Sequence, residues 1–153
     1  QFMNSTLLKL GKNFKNIVVL DTGSVRNSDC EEFIKFFGDR YFNFGLAESN
    51  MVSAAAGFAI AGKMPIIFGN ARFLLSTAFD QVYNDICVPN LNVKIVGLIS
   101  SHSESCESVL NSEFGIDKEL VKILPNLKME EGDFSFLEKM MNEYGPAYLR
   151  VKV

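Results

Sequence analysis

The chain has 153 residues, 48% of them hydrophobic and 22% charged, with a formal net charge of −3. That length makes one domain with room for a full core, and the mild acidity without any run of Lys or Arg excludes a nucleic-acid footprint. Fourteen Phe and no Trp point to a Phe-rich core or an apolar face that meets a partner.

Asn16 to Asp21 (NIVVLD) is a short β-branched run that reads as a buried parallel strand. Ser28 is placed to cap a helix carrying Phe33, Phe36 and Phe37 on one face, with Glu31 and Glu32 in its first turn and Gly38 to end it. Tyr41 to Phe44 predicts the second strand, and residues 47–61 a helix of small residues stopped by Gly62. Met64 to Phe68 predicts a third strand that begins at a proline-containing edge. Residues 72–87 suit a single helix, with Phe73, Leu74, Ala78, Val82 and Ile86 at roughly helical spacing. Val93 to Ile99 is the fourth strand.

Ser100 to Glu113 is polar and serine-rich without a period, and reads as a long surface loop. Ile116 to Leu124 follows as a short helix, Asn126 to Met129 as a strand, Phe134 to Tyr144 as an amphipathic helix and Ala147 to Val153 as a last strand. Alternation of this kind predicts one α/β domain over residues 1–153, a three-layer sandwich whose mainly parallel sheet is covered by helices on both faces. Ligands in such sheets bind beyond the carboxyl ends of the strands. Here that edge collects Asp21 to Arg26, Gly45 to Glu48, Gly69 to Phe73 and the serine-rich loop.

Cys30, Cys87 and Cys106 are odd in number and lack metal-ligand spacing, so they read as free thiols in a reducing cytoplasm. Residues 1–10 carry no charged-then-apolar signal pattern, and Met51 to Ala61 is too short to span a bilayer. The expected location is cytoplasmic.

Glu48 opens the small-residue helix directly after a strand. By itself, a first-turn carboxylate answering the helix dipole accounts for it, an effect of about 0.3–1 kcal/mol. The wider pattern adds a second reading. Asp39-Arg40-Tyr41-Phe42-Asn43-Phe44-Gly45-Leu46-Ala47-Glu48-Ser49-Asn50-Met51, Ala54 to Ala59, Ala61-Gly62-Lys63 and Ala78-Phe79-Asp80-Gln81-Val82 resemble, in order, the pyrimidine-binding domain of transketolase and its thiamine-diphosphate relatives. Pro89 to Lys94, Leu124-Pro125-Asn126 and Gly145-Pro146-Ala147-Tyr148-Leu149-Arg150 continue the match.

The resemblance implies a shared active site for two-carbon ketol transfer. This domain would hold the aminopyrimidine ring of thiamine diphosphate, while a diphosphate-binding domain or subunit grips the other end through Mg²⁺. No glycine-rich metal-diphosphate pattern is present here, so the chain alone is not expected to be active. Glu48 matches the family's proton-relaying glutamate, which hydrogen-bonds the ring nitrogen. Phe73 matches an aromatic that stacks on the ring, although a core Phe on a helix is the plain alternative. The small-residue helix 47–61 is expected to meet a second chain.

Three positions depart from the family. Its acidic residue after the first strand falls at Gly23, a second pocket aromatic falls at Asn70, and a substrate-contacting histidine falls at Ser112. His102, the single histidine, is the remaining candidate for a substrate contact, although a histidine in a serine-rich loop is more often solvated. Three readings therefore stand: a pyrimidine-binding subunit of a split enzyme, a fragment of a longer transketolase, or a degenerate homologue acting as an interaction or regulatory subunit. Glu48 favours the first, and Gly23, Asn70 and Ser112 favour the last.

Overall fold

A computed structural model describes residues 2–25, 27–99 and 115–153. The chain order is α1 (Phe2–Asn13), β1 (Ile17–Asp21), α2 (Asn27–Phe37), β2 (Tyr41–Asn43), α3 (Glu48–Ile60) and β3 (Met64–Asn70). A broken helical stretch with α4 (Phe79–Gln81) at its centre follows, then β4 (Lys94–Ile99), α5 (Ile116–Val121), β5 (Lys128–Glu131), α6 (Phe136–Met141) and β6 (Ala147–Lys152).

The six strands form one sheet in the order β2-β1-β3-β4-β6-β5, and every pairing is parallel. Alternate residues of each inner strand feed two cores. Ile17, Val19, Ile66 and Phe68 meet Leu7 and Leu10 of α1, Phe33 of α2 and Leu137 of α6. Val18, Leu20, Ile67 and Ile95 meet Met51, Val52 and Ala55 of α3, together with Leu74, Val82 and Ile86. The expected three-layer sandwich is what the chain forms. Burying both faces of a strand removes any need for alternation, which is why β1 and β3 read as nearly continuous apolar runs, while β4 and β6 each carry one buried cation, Lys94 and Arg150.

Several expected boundaries move, each for a physical reason. The α1 helix had no counterpart in the sequence reading. Its buried positions Met3, Leu7 and Leu10 have helical spacing, diluted by polar neighbours. The α2 helix begins at Asn27, so Ser28 lies inside its first turn rather than capping it. Pro65 lies in an inner strand, not at an edge: it is level with Val18 of β1, one residue before pairing to β4 begins at Ile66. Its missing N–H is tolerated at that strand's start. The fifth strand begins at Lys128 because Asn126 has φ +63° and cannot extend a ladder. The expected loop 100–113 lies outside the described residues, and so do His102, Cys106 and Ser112.

The largest departure is the stretch after β3. Instead of one α-helix it runs as a π-helical turn (Phe73–Thr77), the short α4 and a second π-helical segment (Val82–Cys87). Its bonds reach five residues back: Ala78 N–H donates to Phe73 O at 3.2 Å and Val88 N–H to Tyr83 O at 2.9 Å. Leu74, Ala78, Val82 and Ile86 are all fully buried and repeat every fourth residue. An α-helix advances about 100° per residue, so that row would drift roughly 40° per turn away from the sheet. The wider π turns hold it against the core.

Two buried cations anchor the far strands. The Lys94 ammonium donates to Glu143 O at 2.7 Å and Gly145 O at 2.8 Å, closing the chain after α6, and burial pushes its pKa down to about 8. The Arg150 guanidinium donates to Asp117 at 2.9 Å and to Glu131 at 2.8 Å. Tyr148 donates to the same Asp117 oxygen at 2.7 Å.

Candidate functional site

Strand order reverses between β1 and β3. β2 lies to one side of β1, whereas the chain then crosses to β3 on the other. A reversal of this kind leaves a crevice outside the carboxyl ends of the two strands. Backbone bonds tie its rim together: Thr22 N–H donates to Phe68 O at 3.3 Å and Phe44 N–H to Asp21 O at 2.8 Å.

Glu48 stands at that rim as the first residue of α3. Asn43 Oδ1 accepts from Gly45 N–H at 2.8 Å, and Gly45 turns with φ +63°, a conformation glycine adopts without a Cβ penalty. Ala47 then fills the cap position and offers the helix no side-chain bond. Glu48 is 9% exposed, and among the described residues no donor meets its carboxylate. A buried carboxylate without a donor is costly unless a further group arrives to satisfy it.

Phe73 lies across the crevice, half-buried, at the first position of the π turn. Gly69 determines how closely that turn sits on the sheet, since a Cβ there would be 2.9 Å from Leu74 Cγ. Ser49 Oγ donates to Thr77 O at 3.4 Å, linking α3 to the same turn. The two residues expected at the site, Glu48 and Phe73, therefore come from adjoining elements on one layer at one end of the sheet.

Gly23 has φ +81°, which favours glycine over the family's acid at this turn. Asn70 spends its Oδ1 on Arg72 N–H at 3.0 Å, so it closes the turn rather than walling a pocket. A trio on the opposite layer, two buried groups and the half-buried Tyr41, was not legible in the sequence. Asp21 is 1% exposed and accepts from Tyr41 Oη at 3.1 Å and from the backbone N–H groups of Ser24 and Val25 at 3.2 and 3.4 Å. Burial raises its pKa, and those donors oppose the rise. The thiol of Cys30 adjoins Tyr41, and burial raises the pKa of both. This trio holds the β1–α2 turn beside the crevice. Cys30 and Cys87 are both buried, and neither is in a disulfide.

The family model for the transketolase pyrimidine-binding domain matches residues 1–106. This chain belongs to that family. The transketolase-like chain is 32% identical over 151 residues to a putative transketolase C-terminal section from Methanocaldococcus jannaschii, covering 95% of itself and 48% of that protein. It is also 32% identical over 149 residues to one of the subunits of the apulose-4-phosphate transketolase of Actinobacillus succinogenes, covering 92% of itself and 46% of the relative. Among solved structures, a split-gene transketolase described as an inactive β4 tetramer superposes with a TM-score of 0.83 at 30% identity, over 98% of this chain and 49% of that one. The transketolase of Campylobacter jejuni shares the fold, with a TM-score of 0.75 at 14% identity. The transketolase-like chain thus spans about half the length of these split relatives. None of its described helices is long and apolar enough to cross a membrane.

Proposed function

We propose that this chain is the pyrimidine-binding part of a thiamine-diphosphate transketolase that transfers two-carbon ketol units. One observation carries the reading: Glu48 is buried, lacks a donor among the described residues, and opens α3 at the switch point of the sheet. Thiamine diphosphate is the cofactor of the family's enzymes, and when bound it supplies the nucleophilic carbon for two-carbon transfer.

The residues present fit its aminopyrimidine. The Glu48 carboxyl, otherwise unsatisfied, hydrogen-bonds a ring nitrogen and holds or passes a proton there, in a setting with little competing water. Phe73 presents a ring face, which orients a flat heteroaromatic without needing a hydrogen bond. Diphosphate and Mg²⁺ belong in this reading to a partner domain or subunit. The names of two relatives, one a C-terminal section and the other a lettered transketolase subunit, support a divided enzyme, and the second names a sugar phosphate.

The surface around Glu48 suits assembly. Leu46 is 89% exposed and Ile60 76%, Phe42 and Phe58 pair with ring centroids 5.1 Å apart, and Ser53, Gly57 and Ala61 are small and exposed along helix 47–61. We assign this face to the diphosphate-binding partner and a second copy of the chain, with the complex in the cytoplasm.

Calorimetry with the co-purified partner tests the reading. Glu48→Gln is expected to weaken thiamine-diphosphate binding at least tenfold and to abolish two-carbon transfer. Equal affinity of wild type and variant, with no transfer by either, would leave the degenerate interaction subunit, which Asn70 in place of a pocket aromatic favours.

A further inference from the structure

The strand that leads to Glu48 is the shortest in the sheet among the described residues. β2 has three residues, lies at a sheet edge and pairs with β1 alone, Val19 level with Tyr41, Leu20 with Phe42 and Asp21 with Asn43. Phe42 and Asn43 are exposed. Register is strongly specified where a slip would turn a buried face outward, and weakly where a short strand buries little. Glu48 follows β2 after one glycine turn, so its place at the crevice depends on that register.

A single residue of β1 ties this strand down twice. The Asp21 carbonyl accepts from Phe44 N–H at 2.8 Å, just before the glycine turn. The Asp21 carboxylate accepts from Tyr41 Oη at 3.1 Å, and also from the N–H groups of Ser24 and Val25. Asp21 is almost fully buried, and a hydrogen bond to a charged acceptor out of water is stronger than one between neutral groups. Tyr41 opens β2 and Phe44 follows its end, so the two bonds bracket the strand. On the other face Phe42 meets the Phe58 ring, a contact without a directional bond.

From this bracket we infer that Tyr41 is a positioning residue for Glu48: through the Asp21 carboxylate it locks the register of β2, and with it the turn that carries Glu48 to the crevice. The inference rests on the proposed function and deepens it, since it names what holds the Glu48 carboxyl in place.

The test compares wild type, Tyr41→Phe, Glu48→Gln and the double variant, each with the co-purified partner. Tyr41→Phe keeps the ring and removes only the hydroxyl. The readouts are site-resolved amide hydrogen exchange and calorimetry of thiamine diphosphate. Loss of a hydrogen bond to a charged group corresponds to about ten- to hundredfold in an equilibrium. Tyr41→Phe is therefore expected to speed exchange at Phe44 by about tenfold or more, while Ile67 and Val96 in the inner strands keep wild-type protection. It should lose about tenfold in cofactor affinity by itself and much less beside Glu48→Gln, because a residue that acts through Glu48 then has little left to position.

Wild-type exchange at Phe44, or wild-type cofactor affinity, in Tyr41→Phe overturns the inference. So does an equal affinity loss in both backgrounds, or faster exchange throughout the sheet, either of which would make Tyr41 a general support of the fold. Asp21→Asn keeps an acceptor and gives up the charge; it repeats the comparison with the same expectations if Tyr41→Phe does not fold. A wild type that binds no thiamine diphosphate sinks the proposed function, and exchange at Phe44 then decides the register lock alone.

Discussion

Gly69→Ala probes how the sheet holds the candidate site. Its new Cβ would lie 2.9, 3.1 and 3.2 Å from three carbon atoms of Leu74, where ordinary contact begins at 3.4 Å, so Leu74 has to retreat by about 0.5 Å. Leu74 is fully buried, and Gly69 is paired to Gly97 of β4, so neither side yields freely. Overpacking of this kind costs about 1–3 kcal/mol. Because Leu74 follows Phe73 in the π turn, the displacement passes to the aromatic, and a misplacement approaching 1 Å at a site costs up to about a hundredfold in activity. The assay pairs urea unfolding with calorimetry of thiamine diphosphate in the reconstituted complex. Gly11→Ala serves as the control, since its Cβ would meet Phe37 in the opposite layer at 2.4 Å. Both variants should lose stability, but only Gly69→Ala should lose cofactor affinity under conditions where both remain folded. Adding Leu74→Ala to Gly69→Ala should cost less than the two single changes summed. Wild-type cofactor affinity in Gly69→Ala would refute the reasoning.

Two further predictions concern the anchors. Gly97→Ala places a Cβ 2.3 Å from Tyr148 Oη, and Tyr148 is fully buried and bonded to Asp117; a loss of about 3–5 kcal/mol in urea unfolding is expected from overpacking plus a broken charged hydrogen bond. For Lys94 the folded-state pKa of about 8 lies below the ordinary 10.5, so the folded chain releases this proton first and stability rises with pH between those values. Cys87, Tyr41 and Tyr148 have raised pKa values and act in the opposite sense at high pH. The measurement is therefore the difference between wild type and Lys94→Met across that range: wild type should gain relative to the variant, and a flat difference contradicts the assignment.

Strands β1 and β3 were legible because burial on both faces writes them as apolar runs, as in Val18-Val19-Leu20 and Ile66-Ile67-Phe68. Glu48 was legible for a related reason: a strand, a glycine turn and a helix start follow one another within a few residues, so its position is local. The Asp21–Tyr41 contact was not, because it depends on Val19 standing level with Tyr41 across two strands. The helix over 72–87 was misread because its apolar spacing resembles 3.6 closely enough to pass for an α-helix, while its buried row repeats at four.

Those π turns also affect how this chain is to be compared with its relatives. Each widens the helix by the equivalent of an extra residue, so counting forward from Gly69 and counting backward from Asp80 give correspondences that differ by one position. A relative with an uninterrupted helix would place a different column of its alignment over the crevice. Equivalence through this stretch is therefore a matter of which side chain rests on the sheet glycine, as Leu74 does on Gly69, with the ring that borders the crevice being the residue just before it.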